Sequence, residues 1–420
     1  MRGSESTDLI RTGRNYEYMI SDNSIDADKR CDRFIVTILG SFPPLRGLSS
    51  YCLEFAKAMS GFHDIEFLSF REMYPPLLYP GRDLDDDHSF PSIDIPNLKV
   101  KRRLTWYNPF TWIIEGMGSK GKLLHAQWWS LPLIFVYLIV CLCFRLRGKP
   151  VVFTVHNVIS HERSMYYIFF SKILFLLGNH FIVHTERNKR ALIRYFGIPQ
   201  HRISQVAHGP LDFHVTGRMD TTISRRLLGL NPDEKVILFF GAIRSYKGLE
   251  TALKAFAKVK DEIPDSRLLI AGKPWVDWTP YKELIEELGI ADHVICHLRY
   301  IPSSEVNHYF VASDLVILPY NHFDSQSGVG AIALSFRKPL IVTDVGGLPD
   351  LVSNPRFLVP PKDPMALAQA QIESLSDRDI LNYMSADSEK AAKKMSWPGI
   401  AGSTSNIYKK VLKESPYTRN

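Results

Sequence analysis

Two cations stand at the point where a hydrophobic run gives way to an amphipathic pattern. In the stretch FFGAIRSYKGLETALKAF, Arg244 and Lys247 follow Gly241, and Gly248 opens the amphipathic part. Such a pair at the positive end of a helix is electrostatically unfavourable, which argues against a simple solvated surface pair. The two glycines leave room for a ligand close to the backbone. This stretch therefore predicts an anion-binding loop between a strand and a helix.

A second polar loop lies in the same half of the chain. Ser325, Gln326 and Ser327 precede Gly328, where a helical pattern begins that extends to Phe336. A helix start offers unpaired backbone N–H groups, which together with these side chains suit a diphosphate. Charge builds on a diphosphate as it departs, and the two cations of the first loop would stabilise that charge. The two loops together predict a site for a diphosphate leaving group.

Polar residues also follow the predicted strands of the first half. Gly40 and Gly47 flank a proline-containing loop after the first strand, and Ser49 or Ser50 is placed to cap the next helix. This loop lacks the G-x-G-x-x-G spacing of a dinucleotide site, and no G-x-S-x-G elbow occurs in the chain, so a serine hydrolase triad is not supported. His156 and Asn157 stand at the end of another predicted strand, and they are expected to project into a crevice.

The sequence predicts no metal site. No DxD motif stands at the end of a predicted strand. The candidate run, DLDDD at 83–87, lies in a proline-rich, acidic stretch at 74–96 and is interpreted as solvated. That stretch predicts a long surface loop, and such loops often serve as functional flaps. The five cysteines are scattered and lack the spacing of a zinc site. Their odd, sparse number favours a reducing compartment.

Short apolar runs alternate with helical patterns along most of the chain. The strand-like runs cover 34–39, 64–70, 122–127, 151–156, 180–185, 235–241, 267–272, 293–298, 314–320 and 340–345. Helical patterns between them include 249–260, 281–288 and 303–312. Continuous apolar strands alternating with helices predict parallel sheets covered on both faces, and two series predict two doubly wound, Rossmann-like α/β domains. Ligands of such sheets bind beyond the carboxyl ends of the strands, where the polar loops stand.

The pattern also predicts where the domains begin and end. We expect a disordered tail at 1–30, a first domain at 31–212, a linker at 213–232, a second domain at 233–395 and a final helical segment at 396–420. The tail has no apolar run of the kind that signal peptides carry.

Charge and hydropathy point to anionic partners without naming one. The net charge is +7 and the pI is near 9.0. The most apolar run, at 131–144, is shorter than the roughly 20 residues that span a bilayer. It fits a buried helix or a helix lying in a membrane interface. The buried helix is the leading interpretation, and Trp128 and Trp129 before the run and the basic RLRGK after it support the alternative.

These motifs resemble the group 1, family 4 glycosyltransferases of GT-B fold, which are retaining and use nucleotide sugars. The resemblance covers roughly 34–412 and is strongest at 235–352. FFGAIRSYKGLETALKAF is similar to the segment that carries the donor-phosphate cations in that family. SQSGVGAIALSFRKPLIVTDVGGLPDLV is similar to the region of its E-x7-E motif and the Gly-Gly turn that follows. The chain departs from the pattern at Ala242, which replaces an arginine, and at Asp324 and Ile332, which replace the two glutamates.

The resemblance implies roles for individual residues. Its catalytic residues would be Arg244, Lys247, His156 and Asp324, with Asp324 holding sugar hydroxyls and His156 orienting sugar or acceptor. Donor binding would fall to Gly241, Gly272, Ser325, Gln326, Ser327 and Gly328. The acceptor or phosphate loop would comprise Gly47, Leu48, Gln127 and Asn157. The segment after Trp397 would cross back to the first domain. Ile332 cannot accept hydrogen bonds from a ribose as a glutamate does, so ribose recognition is expected to differ.

The leading hypothesis is a metal-independent, retaining transferase that moves a sugar from a UDP- or GDP-sugar to a lipid-linked or glycan acceptor. No cofactor is expected besides that co-substrate. We expect a cytoplasmic protein attached peripherally to the anionic inner face of the membrane. A nucleotide-sugar epimerase of the same fold and a non-catalytic module that binds nucleotide sugar or acidic lipid are alternatives. Nucleic acid is disfavoured as a partner, because no basic and aromatic platform is evident.

Overall fold

The computed structural model describes residues 33–75, 86–90, 94–158, 165–215 and 219–414. The tail predicted at 1–30 and much of the acidic stretch at 74–96 lie outside the described residues.

The first half of the chain forms a parallel sheet in the order β3-β2-β1-β4-β5-β6-β7. Its strands are β1 (Ile35–Leu39), β2 (Asp64–Glu72), β3 (Leu98–Thr105), β4 (Leu123–Trp128), β5 (Val151–Val155), β6 (His180–Val183) and β7 (Ile203–Gln205). The order reverses between β1 and β4, where the ends of neighbouring strands diverge and leave a crevice.

The second half forms a parallel sheet in the order β10-β9-β8-β11-β12-β13. Its strands are β8 (Lys235–Phe240), β9 (Ser266–Ala271), β10 (Val294–His297), β11 (Leu315–Leu318), β12 (Leu340–Thr343) and β13 (Leu358–Val359). The reversal of strand order here falls between β8 and β11, and these two strands precede the two polar loops. The prediction of two doubly wound α/β domains is confirmed.

Helices cover both faces of the two sheets. They are α1 (Ser49–Ser60), α2 (Pro109–Gly118), α3 (Ile134–Leu146), α4 (Met165–Phe175), α5 (Glu186–Phe196), α6 (Thr221–Leu227), α7 (Leu249–Glu262), α8 (Thr279–Glu287), α9 (Val306–Ala312), α10 (Gly328–Ser335), α11 (Pro364–Ser376), α12 (Arg378–Lys394) and α13 (Trp397–Glu414).

The ten strands that the apolar runs predict are all present, but three others were not predicted. β3 is an edge strand whose sequence, LKVKRRLT, is half basic and in which only Leu104 and Thr105 are buried, so it lacks the apolar run of a central strand. β7 and β13 have three and two residues, too few to form a pattern.

The predicted serine cap of α1 is wrong. The helix begins at Ser49, with Leu48 in the N-cap position and no side-chain capping hydrogen bond. Leu48 already has helical backbone angles (φ −69°, ψ −6°), so the first turn starts early and both Ser49 and Ser50 lie inside the helix.

The apolar run at 131–144 forms a short 3-10 turn followed by α3. Val136, Tyr137 and Val140 are buried against the first sheet, in the same apolar cluster as side chains of α2, α4 and α5. Phe135 and Leu142 face outward and are exposed. One face of α3 therefore belongs to the core, and the other lies on the surface. No helix within the described ranges is long and apolar enough to cross a membrane.

The opposite face of the first sheet is covered by α1 and by α13, the last helix of the chain. Trp397 donates from Nε1 to the carbonyl of Pro210 at 2.7 Å, and its ring lies where a Cβ atom on Gly209 would be. Tyr408 contacts Nδ1 of the buried His125 with its hydroxyl group. The C-terminal helix thus completes the core of the first half.

Buried histidines link β4, β5 and β6 beneath α13. His125 is hydrogen-bonded to Thr154 at 2.7 Å, and His184 lies 3.3 Å from His156. Burial lowers the pKa of His125 to about 3 and that of His184 to about 4, and it lowers the pKa of His156 well below its usual value. The folded protein therefore keeps these rings neutral at pH values where an unfolded chain would protonate them.

We expect the folded state to lose stability as the pH falls below about 6.5, the pKa of an unperturbed histidine. The unfolded chain then binds protons that the buried rings do not, and each ring costs up to about 1.4 kcal/mol per pH unit down to its folded pKa. Denaturant unfolding between about pH 7 and pH 5 would measure this slope. His184→Gln should reduce it, whereas His322→Gln, at an exposed site, should not. A stability that stays flat over this range would contradict the prediction.

Candidate functional site

The first cation loop is shaped by glycines. Gly241 turns the chain at the end of β8 with φ 92°, a single 3-10 turn covers Ser245–Lys247, and Gly248 begins α7 with φ 73°. A Cβ atom on Gly248 would lie 1.9 Å from the carbonyl oxygen of Pro319. Only glycine therefore allows this loop to lie directly on the end of β11.

Asn321 fastens the same loop to the residues after β11. Its backbone N–H donates to the carbonyl of Tyr246 at 2.7 Å, and its side-chain amide donates to the carbonyl of Ser245 at 3.2 Å. These two bonds hold the cation loop beside the second polar loop, so Asn321 is a positioning residue that the sequence did not reveal.

Lys247 is a buried cation. Its side chain is 6% exposed, its Nζ lies 5.7 Å from the centroid of the Tyr320 ring, and no described residue gives it a hydrogen bond or an ion pair. Burial, reinforced by the charge of Arg244, lowers its pKa to about 7. The Arg244 guanidinium stacks on Trp275, with Cζ 3.9 Å from the ring centroid. A bound anion would restore the charge of Lys247 and offset its desolvation.

The second polar loop ends in the N terminus of α10. Ser327 is the N-cap, and its Oγ accepts a hydrogen bond from the backbone N–H of Gly330 at 3.2 Å. The Tyr320 hydroxyl lies 3.1 Å from the same Oγ, which joins this loop to the ring beside Lys247. Gly328 is exposed, and no atom lies within 4 Å of where its Cβ would be. The start of the helix is therefore open beside the buried lysine.

The turn at Gly346 and Gly347, after β12, contacts the second polar loop. The N–H of Gly347 donates to the carbonyl of Ser325 at 3.0 Å, and a Cβ atom on Gly347 would lie 2.5 Å from Nε2 of Gln326. Gln326 donates from that Nε2 to Asp350 at 3.3 Å, and burial raises the pKa of Asp350. The amide of Gln326 is therefore held in place by the turn.

Gly272 was predicted to bind donor, and it lies behind the cation loop. A Cβ atom there would be 2.1 Å from the carbonyl oxygen of Gly241. Its φ of 153° and this close approach let the ends of β8 and β9 come together. In this position the backbone of Gly272 packs directly against that of Gly241.

The first domain contributes a buried polar group at the ends of β4 and β5. Gln127 is fully buried, and its Oε1 lies 2.9 Å from Nε2 of His156. The ring of His156 packs edge-on against Tyr51 of α1, with centroids 4.7 Å apart. Its pKa lies well below the usual value, chiefly because of burial. His156 is thus a neutral, fixed ring.

The second polar loop meets the first domain at Ser325. Its hydroxyl donates to the backbone carbonyl of His156, so this side chain points across the domain interface. Asn157, the next residue, donates from its amide to the carbonyl of Trp129 at 3.0 Å. Both side chains fix the edge of the interdomain cleft.

The loop after β1 also approaches the second domain. Gly47 is exposed with φ 90°, and Leu48 is the N-cap residue of α1. The guanidinium of Arg46 lies over the ring of Tyr300, with Cζ 3.8 Å from its centroid. The Gly47–Leu48 segment therefore lies at the rim of the same cleft.

Asp87 corrects the interpretation of the acidic run as solvated. Asp87 is 4% exposed, and its Oδ2 accepts from the Tyr300 hydroxyl at 2.8 Å and from the backbone N–H of Ser303 at 2.9 Å. These bonds, together with those from Ser89, lower its pKa despite burial. Asp87 therefore joins the first domain to the second. This contact was not predictable from local sequence, because Tyr300 and Ser303 lie more than 200 residues from Asp87 along the chain.

Asp324 and Ile332, which replace the two glutamates of the family motif, lie in different surroundings. Asp324 is half-buried and lies in a recess formed with α5 of the first domain. Ile332 is 7% exposed and belongs to the apolar core of the second domain. Ile332 therefore packs as a core residue, which explains why an apolar side chain suits this position. Among the described residues, no group of three or more His, Cys, Asp or Glu side chains could hold a metal ion.

Two family models match the chain, one in each domain. A model described as glycosyl transferases group 1 matches 220–395, and a model described as Glycosyltransferase Family 4 matches 45–209. The chain belongs to the group 1, family 4 glycosyltransferases. The resemblance drawn from the motifs is thereby confirmed.

Relatives match over about half of the chain. An uncharacterized glycosyltransferase of Methanocaldococcus jannaschii is 29% identical over 235 residues, which are 54% of this chain and 59% of that protein. A D-inositol 3-phosphate glycosyltransferase of Corynebacterium glutamicum is 31% identical over 239 residues, 54% of this chain and 56% of that one. The chain therefore matches less than two thirds of the length of these relatives.

Solved structures share the fold across nearly the whole chain. Sucrose-phosphate synthase of Thermosynechococcus elongatus superposes with a TM-score of 0.68 at 18% identity, covering 91% of this chain and all of that one. HepE of Anabaena, in complex with UDP and glucose, gives a TM-score of 0.68 at 16% identity, covering 90% of this chain and 99% of that one. The chain therefore has the GT-B fold, as predicted.

Proposed function

We propose that the protein transfers a sugar from a nucleoside diphosphate sugar to an acceptor. The observation that carries this proposal is Lys247, a buried cation that has no anionic partner among the described residues and lies beside the open N terminus of α10. A diphosphate supplies the charge that this arrangement lacks, and the start of α10 supplies backbone donors for it.

In the proposed reaction, the acceptor hydroxyl attacks the anomeric carbon from the same face that the diphosphate leaves. The bond between the anomeric carbon and the phosphate oxygen breaks, a bond to the acceptor oxygen forms, and the acceptor proton passes to the departing phosphate. Arg244 and Lys247 stabilise the negative charge on that phosphate. Asp324 accepts hydrogen bonds from sugar hydroxyls. The configuration at the anomeric carbon is retained, which NMR of the product would test.

The two cations take the role that a metal ion plays in other transferases, so we propose a metal-independent reaction. UDP is the first donor nucleotide to test, because HepE was solved with UDP, with UDP and glucose, and with UDP-glucose. GDP-sugars are the second class.

The experiment is turnover of UDP- and GDP-hexoses, measured as release of nucleoside diphosphate, with lipid-linked saccharides and soluble glycans as acceptors and with or without EDTA. Acceptor-dependent release that EDTA does not reduce supports the proposal. Isomerised nucleotide sugar formed without acceptor would identify an epimerase. Donor binding without turnover across both acceptor classes would favour a non-catalytic module.

We further propose that the protein acts at the cytoplasmic face of an anionic membrane on a lipid-linked acceptor. Among the described residues, 16 of the 21 large apolar side chains that are exposed lie between Trp106 and Tyr195. The apolar surface consists of the exposed residues of α2, α3 and α4: Phe110, Ile113, Ile114, Met117, Phe135, Leu142, Leu146, Met165, Tyr166, Phe169 and Ile173. A patch of this kind marks an interaction surface.

Charge favours a lipid surface as the partner of the apolar surface. α2, α3 and α4 contain one acidic residue, Glu115, which is buried and paired with Lys101 and Arg103. Exposed cations, Arg145 and Lys172, lie on α3 and α4. Apolar side chains interspersed with cations suit an anionic bilayer interface, where the rings enter the acyl boundary and the cations meet headgroups.

We expect Phe135→Glu/Phe169→Glu to reduce partitioning into phosphatidylglycerol vesicles at least about tenfold, because it removes two apolar anchors and adds two negative charges. Flotation measures the bound fraction. Leu227→Glu, at a similarly exposed apolar site on α6, serves as the control and should leave binding unchanged. Wild-type protein that stays wholly in the soluble fraction would contradict this membrane role.

A further inference from the structure

A recess of about 230 Å³ lies between α5 of the first domain and the loop before α10. Arg187, Arg190 and Arg194 line it from α5, and Asp324 lines it from the second domain. The arginines recur at intervals of three and four residues, which places them on one face of the helix. We propose that this recess binds a phosphate group carried by the acceptor, an inference that rests on the proposed transferase function.

The helix is anchored so that this face stays turned to the recess. The Thr185 hydroxyl accepts a hydrogen bond from the backbone N–H of Asn188 at 3.0 Å, which caps α5. Asn188 and Leu192 are buried, whereas the three arginines are exposed. The guanidinium groups are therefore available to a ligand without being part of the domain core.

The charges around the recess leave an excess of positive charge. Glu186 lies 3.5 Å from Arg190 and 3.8 Å from Lys189. Its single negative charge is shared between these two cations and therefore does not neutralise both. Among the described residues that line the recess, Asp324 is the acidic one. Three guanidinium groups facing one carboxylate suit a ligand with about two negative charges, as a phosphate ester has. Guanidinium groups also match phosphate oxygens in geometry, since each can donate two parallel hydrogen bonds.

The recess lies next to the proposed reaction centre. Asp324 is followed by Ser325, which contacts His156 of the first domain, and then by the loop that caps α10. An acceptor held by its phosphate on α5 would therefore present a neighbouring hydroxyl at the edge of the donor site. Both domains contribute walls, so the phosphate site is complete only when the cleft is assembled.

The phosphate could belong to a soluble sugar phosphate or to a lipid phosphate, and the experiment separates the two. Full-length protein is first titrated with UDP and with GDP to find the nucleotide that fills the donor site. With that site saturated, it is titrated with phenyl phosphate and, separately, with a polyprenyl phosphate in detergent micelles. Binding of phenyl phosphate at least as tight as that of the polyprenyl phosphate indicates a soluble acceptor, and much tighter or exclusive binding of the polyprenyl phosphate indicates a lipid acceptor.

The α5 arginines are tested by Arg187→Gln/Arg194→Gln. We expect phosphate affinity to fall at least about 30-fold, because two charge-assisted contacts are lost. Nucleotide affinity should stay within about twofold, because no donor contact is changed. The matched control, Arg226→Gln/Arg378→Gln, removes two exposed arginines elsewhere and should preserve the affinities for both ligands.

Two outcomes would overturn the α5 site: no phosphate binding while nucleotide is bound, or equal weakening in the control variant. Failure of the transferase proposal is seen separately, as absence of nucleotide binding in the first titration. The phosphate titrations are then run without nucleotide, and dependence on the α5 arginines still decides whether this site exists.

Discussion

Replacing Lys247 with methionine is expected to lower the rate of donor cleavage about 10³-fold, the effect of removing a fixed donor or charge that stabilises a transition state. Methionine has a similar length and no charge, so the buried position beside Tyr320 remains filled. The loss should fall mainly on kcat, because the charge on the leaving diphosphate grows as the bond breaks. Release of nucleoside diphosphate at saturating donor measures it.

Lys258→Met is the matched control for this change. Lys258 is an exposed residue of the same helix, α7, and its replacement should leave kcat within about twofold. A Lys247→Met enzyme with wild-type kcat would show that the buried cation does not stabilise the leaving group. Equal losses in both variants would show that the effect is structural.

Gly248→Ala is expected to lower the midpoint of thermal unfolding by about 6–10 °C, corresponding to about 3 kcal/mol in a domain of this size. An added Cβ would lie 1.9 Å from the carbonyl oxygen of Pro319, and the φ of 73° adds the strain of a left-handed conformation. The cation loop has to move away from β11, so Lys247 would also leave its place beside Tyr320. Donor binding should therefore be lost together with stability.

Gly229→Ala separates the clash from the strain. Gly229 has a nearly identical φ of 77°, but no atom lies within 4 Å of where its Cβ would be. It should cost only the left-handed strain of about 1–2 kcal/mol. Equal thermal shifts in the two alanine variants would mean that the contact with Pro319 does not constrain the loop.

The features that local sequence reveals are those whose partners are close along the chain. The apolar runs of central strands predict β1, β4 and β8 because each such strand is buried on both faces. Gly248 and Ser327 were identified because a glycine or a serine before a helical pattern has a local structural meaning. β3 was not predicted from the sequence, because an edge strand needs no apolar run.

The parts of the site that were missed depend on contacts between distant segments. Asn321 holds the cation loop from 76 residues away, and Asp87 joins Tyr300 across 213 residues. Ser325 was predicted to face the diphosphate, yet its hydroxyl contacts the backbone of His156. No periodicity or spacing in one sequence encodes such a pairing, because it arises only when distant segments of the folded chain meet.

The donor site is tested by calorimetric titration of UDP and of GDP into the wild-type protein and into Lys247→Ala, without metal. We expect one nucleotide to bind the wild type and this binding to be largely lost in the variant. Wild-type affinity should also weaken as the pH rises above about 7, because Lys247 is cationic below its pKa and neutral above it. Binding that is unchanged in Lys247→Ala, or no binding of either nucleotide to the folded wild type, would show that Lys247 does not form a donor-diphosphate site.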